Sequence, residues 1–170
     1  MIRKIVLLHN PVLKKKSTPI AKVDDEVRAL ANDMFDTMYA ANGIGLAAIQ
    51  VGEPRRMFVA DIPEITKEPM VFINPVIRES SKSKMVYEEG CLSIPGVKYK
   101  IGRPKKVVLE FLDLSGKKQE MELEDLFAIC VQHEIDHLDG ILFIERAGLK
   151  ARKKINELLE EKDIKPYFKV

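Results

Sequence analysis

Three segments of the chain carry apolar residues at a spacing or density that predicts α-helices. In residues 24–41 apolar side chains recur at helical spacing behind an aspartate that can cap the start, and Asn42-Gly43 can end the helix. Residues 124–138 are apolar nearly all round in their first half, which indicates a helix buried in the core. Residues 149–161 are highly charged and have only a thin apolar stripe. That stripe consists of Leu149, Ile155, Leu158 and Leu159.

Shorter apolar stretches between the helices predict β-strands. Residues 57–62 and 70–73 are short and apolar, and residues 84–93 mix strand propensity with a glycine. Breaks between strands are predicted at Pro63, Pro69 and Pro75. Residues 105–114 and 117–123 flank a Ser-Gly pair and predict a β-hairpin. Its candidate inward residues are Val107, Leu109, Phe111, Met121 and Leu123.

The order of these elements predicts a single α+β domain over residues 1–170, with antiparallel or mixed strands packed around the central helix. The composition, 46% hydrophobic and 32% charged, is that of a soluble globular protein. A net charge of +2 is too small to indicate binding to DNA or a membrane. The first residues lack the apolar core of a signal peptide, and no apolar run approaches a membrane span. We therefore expect a cytoplasmic protein.

Two cysteines, Cys91 and Cys130, are the only ones in the chain. A disulfide between them is one interpretation, but a reducing cytosol disfavours it. Metal ligation or packing in the core is the expected role of each thiol.

The central helix contains the pattern His-Glu-x-x-His at residues 133–137. Residues four apart are separated by about 400° on a helix, so His133 and His137 lie on one face and can bind one divalent metal ion. Glu134 is placed to move protons without being a ligand. The alternative is a helix whose histidines are incidental, but polar groups on a buried helix need partners, which a metal supplies.

A catalytic metal of this kind usually has three protein ligands and one open position. Downstream, Glu145 and Glu157 are possible carboxylate ligands, as in other His-Glu-x-x-His hydrolases. Upstream, Cys91 offers a thiolate, which together with two imidazoles suits a first-row divalent ion. A non-catalytic, metal-stabilised binding module is a further alternative, and it would have no need of Glu134.

Residues 43–52 form an almost uncharged, glycine-containing stretch. Its Gly-x-Gly-x-x-Ala spacing is similar to a dinucleotide-binding turn, but that turn follows a strand, whereas this stretch follows a helix. Its glycines more simply allow a close approach of the backbone or a positive φ. Gln50 is a lone amide among apolar residues. Its side chain either forms hydrogen bonds within the protein or faces a ligand.

Three stretches together resemble the signature motifs of the peptide deformylase family: GIGLAAIQVG at 43–52, EGCLS at 89–93 and QHEIDH at 132–137. The similarity runs over residues 24–144, and the chain departs from it at Ile49, where a proline or small residue is expected. The resemblance implies an enzyme that removes the formyl group from the N-terminal formylmethionine of nascent bacterial polypeptides. It also implies the metal ligands Cys91, His133 and His137, with Fe²⁺ as the characteristic ion and Zn²⁺ or Ni²⁺ as alternatives.

The same resemblance implies a role for each remaining site residue. A metal-bound water or hydroxide would attack the formyl carbon with Glu134 as general acid and base, and the Leu92 N–H and the Gln50 amide would stabilise the oxyanion. Gly45 would bind the substrate backbone in the manner of an added strand. The plausible walls of a methionine pocket, or equally residues of the plain core, are Ile44, Leu126, Ile129 and Cys130.

The start of the last helix carries a basic cluster: Lys150, Arg152, Lys153 and Lys154. One interpretation is a solvated surface helped by pairs such as Lys153 with Glu157. The other, suggested by the resemblance, is a contact with ribosomal RNA, whose phosphates would dominate the affinity.

Overall fold

The central helix of the protein contacts two separate antiparallel β-sheets. The computed structural model describes residues 1–165. Its helices are α1 (Asp25–Ala40), α2 (Asp125–Leu138), α3 (Phe143–Arg146) and α4 (Arg152–Glu161). Its strands are β1 (Gly45–Ala47), β2 (Met57–Ala60), β3 (Met70–Ser80), β4 (Lys84–Cys91), β5 (Ile94–Pro104), β6 (Lys106–Leu112) and β7 (Lys118–Glu124). Short 3₁₀ turns lie at Pro11–Lys14, Ala48–Val51 and Leu149–Ala151.

The larger sheet has five strands in the order β1-β2-β3-β6-β7, and the smaller sheet pairs β4 with β5. All of these pairings are antiparallel. The predicted α+β domain is therefore confirmed, with α2 packed on both sheets and the predicted hairpin formed by β6 and β7. Among residues 1–165 there is no helix with the length and apolar character needed to cross a membrane.

The main core lies between α2 and the five-stranded sheet. Phe72 stands at its centre, with its ring centroid 4.5 Å from that of Phe58 and 4.6 Å from that of Phe111, and with Phe127 of α2 edge-on at 6.2 Å. Four of the inward residues predicted for the hairpin are buried, whereas Met121 is only partly buried. Helix α1 closes the other face of this sheet through Leu30, Met34 and further apolar residues.

Two predictions about the elements need correction, and one strand was missed. The strand predicted over 70–73 does not break at Pro75 but continues to Ser80, because a bulge between Ile73 and Val76, with Asn74 at φ 50°, accommodates the missing proline N–H. Strand β5 was not predicted, since its glycines and prolines disguise it. Leu149 is 75% exposed in a 3₁₀ turn and does not belong to the apolar stripe, whereas Ile155 and Leu159 are buried.

Candidate metal centre and active site

Two elements from different parts of the chain bring three candidate metal ligands together. Helix α2 carries His133 and His137 one turn apart, and their ring centroids are 5.0 Å from each other. Cys91, the last residue of β4, places its Sγ 3.2 Å from His137 Nε2. One ligand atom from each of the three residues lies within 4.8 Å of the other two. This spacing lets a single ion contact all three.

The surroundings of the three side chains fit a bound divalent ion. His133 Nδ1 contacts Glu89 Oε2 at 2.9 Å, which leaves Nε2 for the ion. His137 directs Nε2 at Cys91, and its buried Nδ1 has no hydrogen-bond partner among residues 1–165. A thiolate with two imidazoles is a donor set that first-row divalent ions accept. Both cysteines are free, so the disulfide does not form.

The alternative carboxylate ligands are engaged elsewhere. Glu145 accepts hydrogen bonds from Lys14 Nζ and from the Leu142 backbone N–H. Glu157 is on the exposed part of α4, where Lys154 Nζ lies 3.4 Å from its carboxylate. That contact is made by Lys154 and not by Lys153, which had been suggested as the partner.

The electrostatics of the two histidines differ. Burial lowers the pKa of His133, but hydrogen bonds to Cys91 and Glu89 outweigh it and hold that pKa well above its usual value. Burial, with repulsion from His133 and Arg103, holds the pKa of His137 well below its usual value. His137 is therefore neutral at pH 7 and ready to act as a ligand, whereas a metal ion has to displace a proton from His133.

Glu134 is a buried carboxylate beside the metal ligands. It is 4% exposed, and its Oε2 has no hydrogen-bond partner among residues 1–165. Burial raises its pKa to about 7; the positive charge of His133 opposes this rise, and the negative charge of Glu89 adds to it. A carboxylate with a pKa near neutrality is suited to accepting and returning protons at physiological pH.

Gly45 in β1 is the residue that makes room for Glu134. A Cβ at position 45 would lie 2.6 Å from Glu134 Oε1 and 3.0 Å from Cys130 Sγ. The glycine is therefore needed for a close approach between strand and helix, as its sequence context suggested, and its φ is not positive.

Gln50 lies in the 3₁₀ turn after β1, and all the polar atoms of its side chain have partners. Its Oε1 accepts from the Ala47 backbone N–H at 2.9 Å, and its Nε2 donates to Ser93 Oγ at 3.1 Å and to Cys91 Sγ at 3.5 Å. The N-terminal segment fixes this arrangement, because the Val6 N–H donates to the Gln50 carbonyl oxygen and the Leu8 N–H to that of Ser93. The Gln50 amide thus points towards the metal ligands.

A cavity of about 700 Å³ opens in front of this centre. It is lined by ten of the eleven residues that the sequence assigned to the site, and the eleventh, His137, is buried and does not line it. The ten are Ile44, Gly45, Gln50, Cys91, Leu92, Leu126, Ile129, Cys130, His133 and Glu134.

Four polar residues around the site were not predicted. Glu89 and Ser93 lie at the two ends of the EGCLS motif, which by itself indicates no role for them. Asp136, in α2, is only 6% exposed, and a buried carboxylate on a helix signals a charged partner. That partner, Arg103, belongs to the strand that the sequence did not reveal.

Comparisons with known proteins agree with this geometry. The sequence model of the family described as polypeptide deformylase matches residues 2–153. The peptide deformylase of Mesorhizobium japonicum is 50% identical over 167 residues, covering 95% of each chain, and that of Brucella suis is 47% identical over 167 residues, again covering 95% of each.

Solved structures agree as well. A peptide deformylase from Synechococcus elongatus in complex with actinonin matches with a TM-score of 0.91 and 38% identity, covering 96% of this chain and 89% of that one. A peptide deformylase from Legionella pneumophila matches with a TM-score of 0.85 and 42% identity, over 98% and 100% of the two chains. The chain therefore belongs to the polypeptide deformylase family and is a metal-dependent hydrolase.

Proposed function

We propose that this deformylase hydrolyses the formyl amide of N-terminal formylmethionine in newly made polypeptides, using one divalent metal ion held by Cys91, His133 and His137. The observation that carries the proposal is the convergence of the three ligand atoms within 4.8 Å at the wall of a cavity that Glu134 also lines. An ion bound there supplies Lewis acidity, which polarises the formyl oxygen and makes a water nucleophile available near neutral pH.

Glu134 is the group that moves the proton. It accepts a proton from the attacking water and then delivers it to the departing amine, so the same carboxylate serves both halves of the reaction. Its pKa of about 7 and its unpartnered Oε2 support this role. It shares the cavity wall with Cys91 and His133, which keeps it near the reacting amide.

The oxyanion that forms on the formyl group needs hydrogen-bond donors. We assign the Leu92 backbone N–H and the Gln50 side-chain amide to this role. Both amide protons of Gln50 are engaged in the free protein, and the 3.5 Å contact with Cys91 Sγ is the weaker one, so this proton is the one that turns to the oxyanion. Removing one such donor costs about 10²–10³ in rate.

The substrate backbone pairs with β1 at Gly45. This strand is at one edge of the five-stranded sheet, and within residues 1–165 it pairs with β2 on one side only, so its other side can accept an added strand. The methionine side chain then enters the apolar part of the cavity between Ile44, Leu126, Ile129 and Cys130.

Glu134→Gln tests the mechanism. The variant should bind the metal as the wild type does, because Glu134 is not a ligand, while kcat on formyl-Met-Ala-Ser falls by orders of magnitude. Metal analysis of the same preparation separates loss of the proton carrier from loss of the ion. A fully metal-loaded variant with wild-type turnover would refute the assignment.

We propose Fe²⁺ as the physiological ion. The proposal is supported by the thiolate ligand and by the resemblance to a family whose characteristic ion is Fe²⁺. A thiolate beside Fe²⁺ makes the site sensitive to oxidation. Protein purified without oxygen should lose activity in air, and exchange for Ni²⁺ or Zn²⁺ should slow this loss. Equal decay with all three ions would contradict the iron assignment.

We also propose that the whole of residues 1–170 forms one domain that works in the bacterial cytoplasm and meets the ribosome through α4. Ile155 and Leu159 bury one face of this helix, which leaves Lys153 and Lys154 exposed. The side chains of Lys150 and Arg152 lie outside the part of the chain that the structure describes, as do residues 166–170.

Neutralising Lys150, Arg152, Lys153 and Lys154 should weaken co-sedimentation with ribosomes at low salt and leave activity on a free formyl-tripeptide unchanged. A variant neutralised at four other exposed residues, Lys22, Lys67, Lys82 and Lys117, is the control for general charge loss. Unchanged co-sedimentation of the first variant would show that the cluster is only a solvated surface.

A further inference from the structure

A chain of four charged side chains runs from the metal ligand His133 to the surface behind α2. Glu89 Oε2 contacts His133 Nδ1 at 2.9 Å, and Arg103 donates to both oxygens of Glu89, from Nε at 2.5 Å and from Nη2 at 3.1 Å. Arg103 Nη1 donates to Asp136 Oδ2 at 2.8 Å. Arg146 ends the chain by donating to both oxygens of Asp136, from Nε at 3.0 Å and from Nη2 at 2.6 Å.

The inner members of this chain are buried and the last one is not. The side chains of Glu89, Arg103 and Asp136 are 4%, 5% and 9% exposed, whereas that of Arg146 is 48% exposed. Arg146 reaches water at a second cavity, of about 620 Å³, which lies away from the substrate cavity. With two carboxylates and two guanidinium groups the chain is neutral as a whole, and this balance is what permits charges to be buried there.

We infer that Arg146, which is remote from the substrate cavity, is a positioning residue for the metal ligand His133. It acts through Asp136, Arg103 and Glu89 in turn. This inference rests on the proposed role of His133 as a ligand. The orientation of His133 would then depend on a residue outside the three sequence motifs of the catalytic site, because Arg146 is on α3.

The physical argument concerns how Arg103 divides its donors. With Arg146 present, Asp136 has both oxygens occupied and needs only Nη1 of Arg103, so the other two nitrogens, Nε and Nη2, remain on Glu89. Without Arg146, a buried carboxylate oxygen of Asp136 is left unpaired, which is costly. Arg103 is then drawn towards Asp136 and releases one of its bonds to Glu89. Glu89 gains freedom to rotate and no longer fixes the ring of His133.

The test compares Arg146→Gln with Arg78→Gln in protein loaded with Zn²⁺. Arg78 is a close match, since it is 51% exposed and also donates through Nε and Nη2 to both oxygens of one carboxylate, that of Glu110. The readout is the rate at which a chelating dye removes the metal. Arg146→Gln should release it about threefold to tenfold faster than the wild type, while Arg78→Gln should match the wild type.

A double variant separates positioning from general loosening. Glu89→Gln breaks the chain next to His133 and should accelerate metal loss by roughly 10–100-fold. In that background Arg146→Gln should have no further effect, because the path to His133 is already interrupted, whereas a merely structural Arg146 would accelerate release equally in both backgrounds. Additive effects, or release from Arg146→Gln at the wild-type rate, would overturn the inference. A wild-type protein that binds no metal would instead refute the proposed function.

Discussion

Replacing Gly45 with alanine is the sharpest test of how β1 positions Glu134, the proposed proton carrier. The new Cβ would lie 2.6 Å from Glu134 Oε1, and ordinary van der Waals contact begins at 3.4 Å, so the carboxylate must retreat by about 0.8 Å. The same Cβ would lie 3.0 Å from Cys130 Sγ, so it is crowded on a second side as well. A misplacement of about 1 Å costs on the order of 10²-fold in rate, and we expect kcat to fall roughly 30–100-fold.

The assay is steady-state hydrolysis of formyl-Met-Ala-Ser, with metal content measured on the same samples. Metal content should be that of the wild type, because none of the three ligands is displaced. Gly90→Ala is the matched control: it also adds a methyl group to a strand lining the cavity, but its nearest atom would be Lys98 Cγ at an ordinary 3.5 Å. Its kcat should therefore remain within about twofold of the wild type.

Two results would refute this reasoning. One is wild-type kcat in Gly45→Ala, which would mean that Glu134 tolerates the displacement or does not move the proton. The other is an equal loss in Gly45→Ala and Gly90→Ala, which would trace the effect to the narrower cavity and not to the position of the carboxylate.

Three further predictions concern stability and specificity. Because burial raises the pKa of Glu134 from 4.5 to about 7, the stability that this group contributes is complete below pH 4.5 and is lost as the pH rises through 7. In urea unfolding of the metal-free proteins, the free energy of unfolding of the wild type should fall by roughly 3 kcal/mol relative to that of Glu134→Gln between pH 4 and 8. A relative increase over this pH range would contradict the burial argument. Phe72→Ala removes the centre of the aromatic cluster, so the free energy of unfolding should fall by about 3–5 kcal/mol, visible as a lower Tm. Ile129→Phe fills part of the substrate cavity and should raise KM for formyl-Met peptides on the order of tenfold, and for formyl-Ala peptides much less; equal increases would argue against a methionine pocket.

The elements that the sequence predicted well are those whose signal is local. The apolar spacing behind Asp24 predicted α1 because a helix repeats its pattern within a few residues, and Asp24 does cap it by accepting from the Val27 N–H. The density of apolar residues predicted the burial of α2 for the same reason. Strand β5 was not predicted, because it contains Pro95, Gly96 and Gly102, which are rare in strands. It is a strand because it pairs with β4, and this pairing cannot be read from the local sequence.

The candidate site shows the same division. His133 and His137 are four residues apart on one helix, so helix geometry alone predicts that they face the same ion. The spacing did not decide whether the third ligand is Cys91 or one of two carboxylates, and only the family resemblance favoured Cys91. The contact between Glu89 and Arg103 joins neighbouring strands of one small sheet and follows from a register that the sequence does not display. Long-range pairs of this kind depend on the assembled fold, so local patterns do not predict them.

The two sheets have a consequence for how the protein is held together. Cys91 belongs to the small β4–β5 sheet, while His133 and His137 belong to α2, which packs on both sheets. An ion held by all three would thus cross-link the small sheet to α2, and its binding free energy would add to the docking of that sheet on the helix. Chelation removes that cross-link without touching the core around Phe72. Amide hydrogen exchange should then accelerate in β4 and β5 and stay slow in β2 and β3, which would show that the bound ion also stabilises the tertiary structure.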